Sequence, residues 1–160
     1  MAVARVPVLI DTPDATGSAY PTLSTSNGFS NIRRLVPAFA KDIDSAWEGV
    51  VQVPQGFASG GKIVLSIAAN ATTGVTRLIA STAPMADGEQ LDTAYTAETA
   101  QDITVPGTAK LRKDVTFTLT SSPAVGDAMA VKVTHNGAHA NDTLAVDTLL
   151  WQVHFEYTTV

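Results

Sequence analysis

The sequence predicts an all-β protein: an antiparallel two-sheet β-sandwich of the jelly-roll type over residues 34–160, preceded by an extended N-terminal arm over residues 1–33. Three observations predict it. Short runs alternate apolar and polar residues with period two, most cleanly in Val115-Thr116-Phe117-Thr118-Leu119-Thr120. Clusters of Gly, Pro, Asn, Asp and Ser separate these runs at the short spacing of a sandwich. No segment holds a helical period, and 45% of the residues are apolar. One sheet with a single buried face would leave too much of that surface in water, whereas two sheets packed face to face bury it.

The elements follow in order. The arm is punctuated throughout by turn-forming residues, with one apolar patch from Val6 to Ile10 that Pro7 confines to an edge or an extended contact. Asp11-Thr12-Pro13 and Asn27-Gly28 read as turns. A floppy terminus is the alternative to an ordered arm. The apolar residues spaced along it favour an arm that packs on something, with Arg5, Val6, Val8, Leu9, Ile10, Tyr20, Phe29, Arg33 and Arg34 as candidate partner-binding residues. The body then begins with a short run from Leu35 to Phe39 and a strand from Ala46 to Val53 that Pro54 stops. Gln55 to Gly61 reads as a loop, Lys62 to Ala69 and Val75 to Ser81 as strands, and Pro84 to Gln90 as a loop. Residues 91–105 admit either an interrupted strand or, in the Ala-rich Thr93 to Gln101, a helical turn or two. Strands follow from Lys113 to Thr120 and around Met129, Val131 and Val133, then a polar loop from His135 to Asp142. The last strand runs from about Leu144 to Tyr157, with Trp151, Val153, Phe155 and Tyr157 inward and Gln152, His154 and Glu156 outward. About eight antiparallel strands in two sheets suit a jelly roll, among the Greek-key sandwiches.

Composition narrows the function. The net charge is −5, and the only adjacent basic pairs are Arg33-Arg34 and Arg112-Lys113. Nucleic acid is therefore not an expected partner, because phosphate neutralisation needs clustered Lys or Arg. Without Cys there is no disulfide, thiol nucleophile or Cys-ligated metal. No apolar stretch approaches the roughly 18 residues of a membrane helix, so no membrane partner is expected. The N-terminal apolar run is too short for a secretory signal, which predicts synthesis in the cytoplasm.

Candidate chemistry is sparse, and no catalytic residue, metal or cofactor is expected. His135 and His139 lie in one loop with Asn136, Asn141 and Asp142, open to a weak metal site or to a solvated polar loop; the Gly-containing loop favours the second. Asp87, Glu89 and Asp92 form the best acidic cluster, but they miss the calcium-loop spacing, and turn formation explains them equally well. Ser, His and Asp all occur, yet neither a Gly-x-Ser-x-Gly elbow nor a phosphate-cradling Gly loop is present. Trp47 is a candidate for stacking on a sugar ring, while Trp151 belongs to an alternating core face.

One order of motifs carries a resemblance. Trp47 precedes Val51-Gln52-Val53-Pro54; a Gly-rich turn and an apolar strand follow, then Thr73-Gly74-Val75, Gly88-Glu89-Gln90-Leu91-Asp92 and the Val115 to Thr120 strand. Ala124-Val125-Gly126-Asp127 leads into a Val-x-Val strand, and Asn141-Asp142-Thr143-Leu144 into a last strand ending Glu156-Tyr157. Over roughly residues 46–158 this pattern resembles the small jelly-roll structural proteins of tailed bacteriophages: capsid decoration or cement proteins, head fibres and related virion parts. The resemblance implies a virion location, a major capsid protein and a homotrimer of self as partners, and a tethering role for the arm. The alternative reading is a receptor- or carbohydrate-binding module of a tail or head fibre, with glycans as partner.

Overall fold

The computed structural model describes the backbone of residues 1–14, 22–25 and 35–160, and the side chains of residues 1–10 and 36–160. Among these residues there are twelve strands and no helix. The strands are β1 (Val3–Pro7), β2 (Leu9–Asp14), β3 (Thr22–Thr25), β4 (Leu35–Phe39), β5 (Asp44–Gln52) and β6 (Phe57–Ala69). They continue with β7 (Val75–Met85), β8 (Thr96–Ala97), β9 (Gln101–Thr104), β10 (Lys113–Thr118), β11 (Ala128–Asn136) and β12 (Thr148–Thr159). One sheet runs β10-β6-β12-β4-β3, with β1 also paired to β12. The other runs β2-β5-β11-β7-β8, with β9 also paired to β7. Consecutive strands β4 and β5, β6 and β7, β9 and β10, and β11 and β12 fall in opposite sheets. That alternation, with every described pairing antiparallel, is the winding of a jelly roll.

The core lies between the sheets. Ile63, Leu65 and Ile67 of β6, Val115 and Phe117 of β10 and Val153 and Phe155 of β12 face Trp47 and Val51 of β5, Leu78 and Ala80 of β7 and Met129, Val131 and Val133 of β11. These are the positions that period-two alternation assigns inward. Phe57, Phe155 and Tyr157 cluster at one end, with Phe155 and Tyr157 stacked at a centroid distance of 5.5 Å and Phe57 tilted against both.

Residues 3–14 are woven into the body, so the boundary expected near residue 34 does not separate them from it. β1 pairs with β12 in the first sheet, Val8 donates its N–H to the Val153 carbonyl at 2.8 Å, and β2 then pairs with β5 in the second sheet. Val8, at the crossing, is buried, and Val6 and Ile10 pack on the core to either side. Pro7, without an N–H, sits at the end of an edge strand, where no ladder bond is lost. β2 approaches β5 so closely that a Cβ on Gly49 would overlap the Leu9 carbonyl, and β2 bulges between Ile10 and Thr12 opposite it. Only glycine leaves room for that crossing. The rest of the expected arm, Tyr20, Phe29, Arg33 and Arg34 included, lies outside the residues whose side chains are described.

Other differences have local causes. The loop expected from Gln55 to Gly61 is strand from Phe57 onward, because that stretch pairs with the end of β12. Residues 91–105 form the short strands β8 and β9 on the edge of β7 rather than a helical turn. The last strand begins at Thr148, not near Leu144. A bulge between Leu150 and Gln152 reverses its alternation there. Leu150 and Val153 therefore both enter the main core, and Trp151 turns away to pack with Val36, Ala38 and Leu149. Glu156 is nearly covered, not exposed, because β1 brings Arg5 beside it.

That carboxylate ties three strands. In register, Arg5 of β1, Glu156 of β12 and Lys62 of β6 form one row. Arg5 Nε donates to Glu156 Oε2 at 2.7 Å, and Lys62 Nζ to Oε1 at 3.2 Å. The Arg5 hydrogen bond is the largest influence holding the Glu156 carboxyl below its ordinary value of 4.5, with Lys62 adding to it and burial opposing. The opposite side of the sandwich is stitched by side chains. Gln101 Nε2 of β9 donates to the Thr116 carbonyl of β10 at 2.8 Å, and Lys113 Nζ of β10 donates to the Thr104 carbonyl of β9 at 2.7 Å. Edge carbonyls that would otherwise invite a further strand are thereby occupied.

Two outcomes test this latch. Val8→Ala should lower unfolding free energy by about 2 kcal/mol, since it removes buried methyl groups from the crossing. Glu156→Gln should cost about 1 kcal/mol at neutral pH, the scale of a partly exposed charge-assisted bond. Because the folded carboxyl titrates below 4.5, its stabilisation is present above that pH and lost as pH falls through the folded value. The gap between wild type and Glu156→Gln in urea titrations should therefore close in acid.

Candidate functional site

Among the described residues, a polar cluster lies where the segment 137–147 crosses the start of β7. The alternation of β11 that buries Met129, Val131 and Val133 continues to His135, which is 1% exposed rather than part of a solvated loop. Its Nδ1 lies 3.1 Å from the Ile43 carbonyl and its Nε2 lies 2.9 Å from Asp142 Oδ2. The Ile43 carbonyl can only accept, so Nδ1 is the donor in that contact. Asp142 Oδ2 also accepts the Arg77 backbone N–H at 2.8 Å. Phe39 packs against the imidazole, its ring centroid 5.6 Å away. Gly137 permits the fit, because a Cβ there would lie 2.6 Å from the Ile43 backbone and 2.7 Å from the imidazole.

Further bonds strap the segment down. The N–H groups of Thr143 and Leu144 both donate to the Val75 carbonyl at 2.9 Å, and Ala138 N–H donates to Asp44 Oδ1 at 3.0 Å. Toward solvent, Asp102 of β9 pairs with Arg77 and accepts from Asn141 Nδ2 at 2.7 Å. The Asn141 hydrogen bond is the largest influence holding the Asp102 carboxyl below its ordinary value, and Arg77 adds to it. His139 is exposed, and its Nδ1 accepts the Asn141 N–H at 3.1 Å.

Chemically, this arrangement ties the 137–147 segment to β11 and β7. Ser45 lies opposite His135 in register and its buried Oγ has no hydrogen-bond partner, so Ser, His and Asp do meet here. Both imidazole nitrogens are already engaged, however, and neither is left to take a proton from Ser45. A second buried carboxylate, Glu98, accepts the Thr120 N–H at 2.8 Å and its hydroxyl at 3.2 Å, joining the β8–β9 connection to the end of β10.

The remaining candidates fall as follows. Of the arm residues, Arg5 is paired to Glu156, while Val6, Val8 and Ile10 serve the core. Leu9 alone among them is 73% exposed and open to a partner. Asp87, Glu89 and Asp92 are exposed, and Glu89 Oε2 accepts the Ala86 N–H at 2.8 Å, the signature of a turn. Trp47 is 3% exposed within the core, so it cannot stack on a sugar. His154 is half-buried between Val64 and Pro7 of neighbouring strands rather than a free surface residue. Sequence reasoning missed the His135–Asp142 pair, although extending the β11 alternation by one step would have placed His135 inward.

No family model and no curated protein matches the chain. Solved structures similar to it include two adhesin domains and a phage tailspike domain. The K3 cleaved adhesin domain of Lys-gingipain from Porphyromonas gingivalis is 15% identical with a TM-score of 0.48, over 97% of this chain and 100% of that one. The K1 cleaved adhesin domain of the same protein is 16% identical with a TM-score of 0.42, over 99% of each chain. The enzymatically active domain of bacteriophage CBA120 tailspike protein 4 is 8% identical with a TM-score of 0.40, over 96% of this chain and 19% of that one.

Asp142→Ala should destabilise the fold by about 3 kcal/mol, because it leaves a buried imidazole and a backbone N–H unpaired. Hydrogen exchange should localise the loosening to residues 137–147 and the start of β7; protection unchanged there would refute the tie.

Proposed function

We propose that this chain is a non-catalytic structural module of a phage virion, a decoration or cement protein that binds the outer surface of the major capsid protein shell and stabilises it. The observation that carries the non-catalytic part is the fate of the buried titratable side chains. His135, Asp142, Glu98 and Glu156 are each engaged by the fold's own backbone, hydroxyls or opposite charges. Groups held this way stiffen a body rather than work on a substrate. The virion part is supported by the order of motifs from Trp47 to Tyr157 that resembles small phage jelly-roll proteins. Both sides of the sandwich are bridged between the sheets, one by the β1–β2 crossing and one by the Gln101 and Lys113 straps. Sheets bridged on both sides make a rigid body, which suits a protein that covers a surface.

The test is co-sedimentation. The full chain should travel with assembled phage particles through a density gradient, and particles carrying it should release their DNA at a higher temperature than particles without it. A chain that stays at the top of the gradient but binds defined glycans on an array would overturn the capsid reading in favour of a fibre-type binding module.

A further inference from the structure

We propose that the outer face of the second sheet is a self-association surface that pairs two copies of this chain about a two-fold axis. The register places residues of neighbouring strands in rows across this face. Leu9 of β2, Val50 of β5, Ala130 of β11 and Ala83 of β7 form one row. Leu9 and Val50 are 73% and 54% exposed, an apolar pair on the solvent side of a sheet. Beside it runs the row Glu48 and Lys132, with Lys132 Nζ 3.3 Å from Glu48 Oε1 and 5.3 Å from the centre of the Tyr95 ring. On the other side, Gln52 of β5 lies opposite Ala128 of β11.

These rows share one asymmetry. On β5 stand the larger or acidic members, Glu48, Val50 and Gln52; on β11 stand the basic or small ones, Lys132, Ala130 and Ala128. Neighbouring strands are about 4.8 Å apart. A two-fold axis parallel to the strands and midway between β5 and β11 lays β5 of each copy over β11 of the other. Val50 then enters the space above Ala130 of the second copy, and Gln52 the space above Ala128. Glu48 comes to lie over Lys132, so the two intrachain pairs close into a ring of alternating charge. Leu9 extends over the rim of β7, where Ala83 is already covered by its own chain. The occupant is thus a second copy, because under that two-fold axis the pattern of size and charge is complementary to itself. A face only a few strands wide is small beside the roughly 800 Å² per partner of a stable complex, so the dimer is weak and reversible.

Charge reversal in two chains tests this directly. Wild type should show a concentration-dependent dimer in sedimentation velocity. Glu48→Lys alone and Lys132→Glu alone each set like charges face to face and should be monomeric. Mixed in equal amounts they should form a heterodimer, since Lys at position 48 then meets Glu at position 132 and Lys132 meets Glu48. Val50→Asp should weaken wild-type dimerisation at least about tenfold without lowering thermal stability, because the side chain is exposed in the monomer. A wild type that stays monomeric to about 0.5 mM, a trimer, or a mixture of the two charge variants that remains monomeric beside a dimeric wild type would each overturn the proposal.

Discussion

The constraint on which this structure depends is the passage of the chain from one sheet to the other at Val8. A two-sheet sandwich has a buried interior but open sides, where the edges of both sheets meet water. Here residues 3–14 close one side by pairing first with β12 and then with β5, and Val8 fills the gap between the layers. The Gly49 surface, the bulge between Ile10 and Thr12, and the Arg5–Glu156–Lys62 row all exist to let this crossing approach and stay. Burial of a single aliphatic side chain contributes only about 1.5–3 kcal/mol. The ladder bonds and the ion pair on either side make the closure cooperative with the fold.

The buried imidazole and the buried carboxylates follow one rule: each binds a part of the chain distant in sequence. His135 reaches Ile43 and Asp142, Asp142 reaches the Arg77 backbone, and Glu98 reaches Thr120. An unpaired buried charge is costly, so each of these bonds selects one placement of its loop among many of similar hydrophobic burial. The jelly roll's long connections, which carry few apolar residues, acquire their fixed positions in this way.

The same reasoning separates what was legible early from what was not. The strands from Val115 to Phe117 and from Met129 to Val133 were readable because alternation is local, and either sheet would bury the same face. Trp151 was not, because a bulge shifts the pleat and nothing in the residues around Leu150 announces it. The covering of Glu156 likewise depended on a partner 151 positions away, Arg5 of β1.

By itself the sequence determined the all-β class, the two-layer core and the lack of cysteine chemistry, since these follow from composition and period-two patterning. Only the tertiary structure decided that residues 3–14 belong to the body, that His135 and Asp142 are a buried tie, and that Leu9 and Val50 stand together on an outer face. The physical reason is that alternation specifies which residues share a face of a strand. It is silent on which strand lies beside which, and pairing across the sheets is what turns an edge into an interior or a charge into a latch.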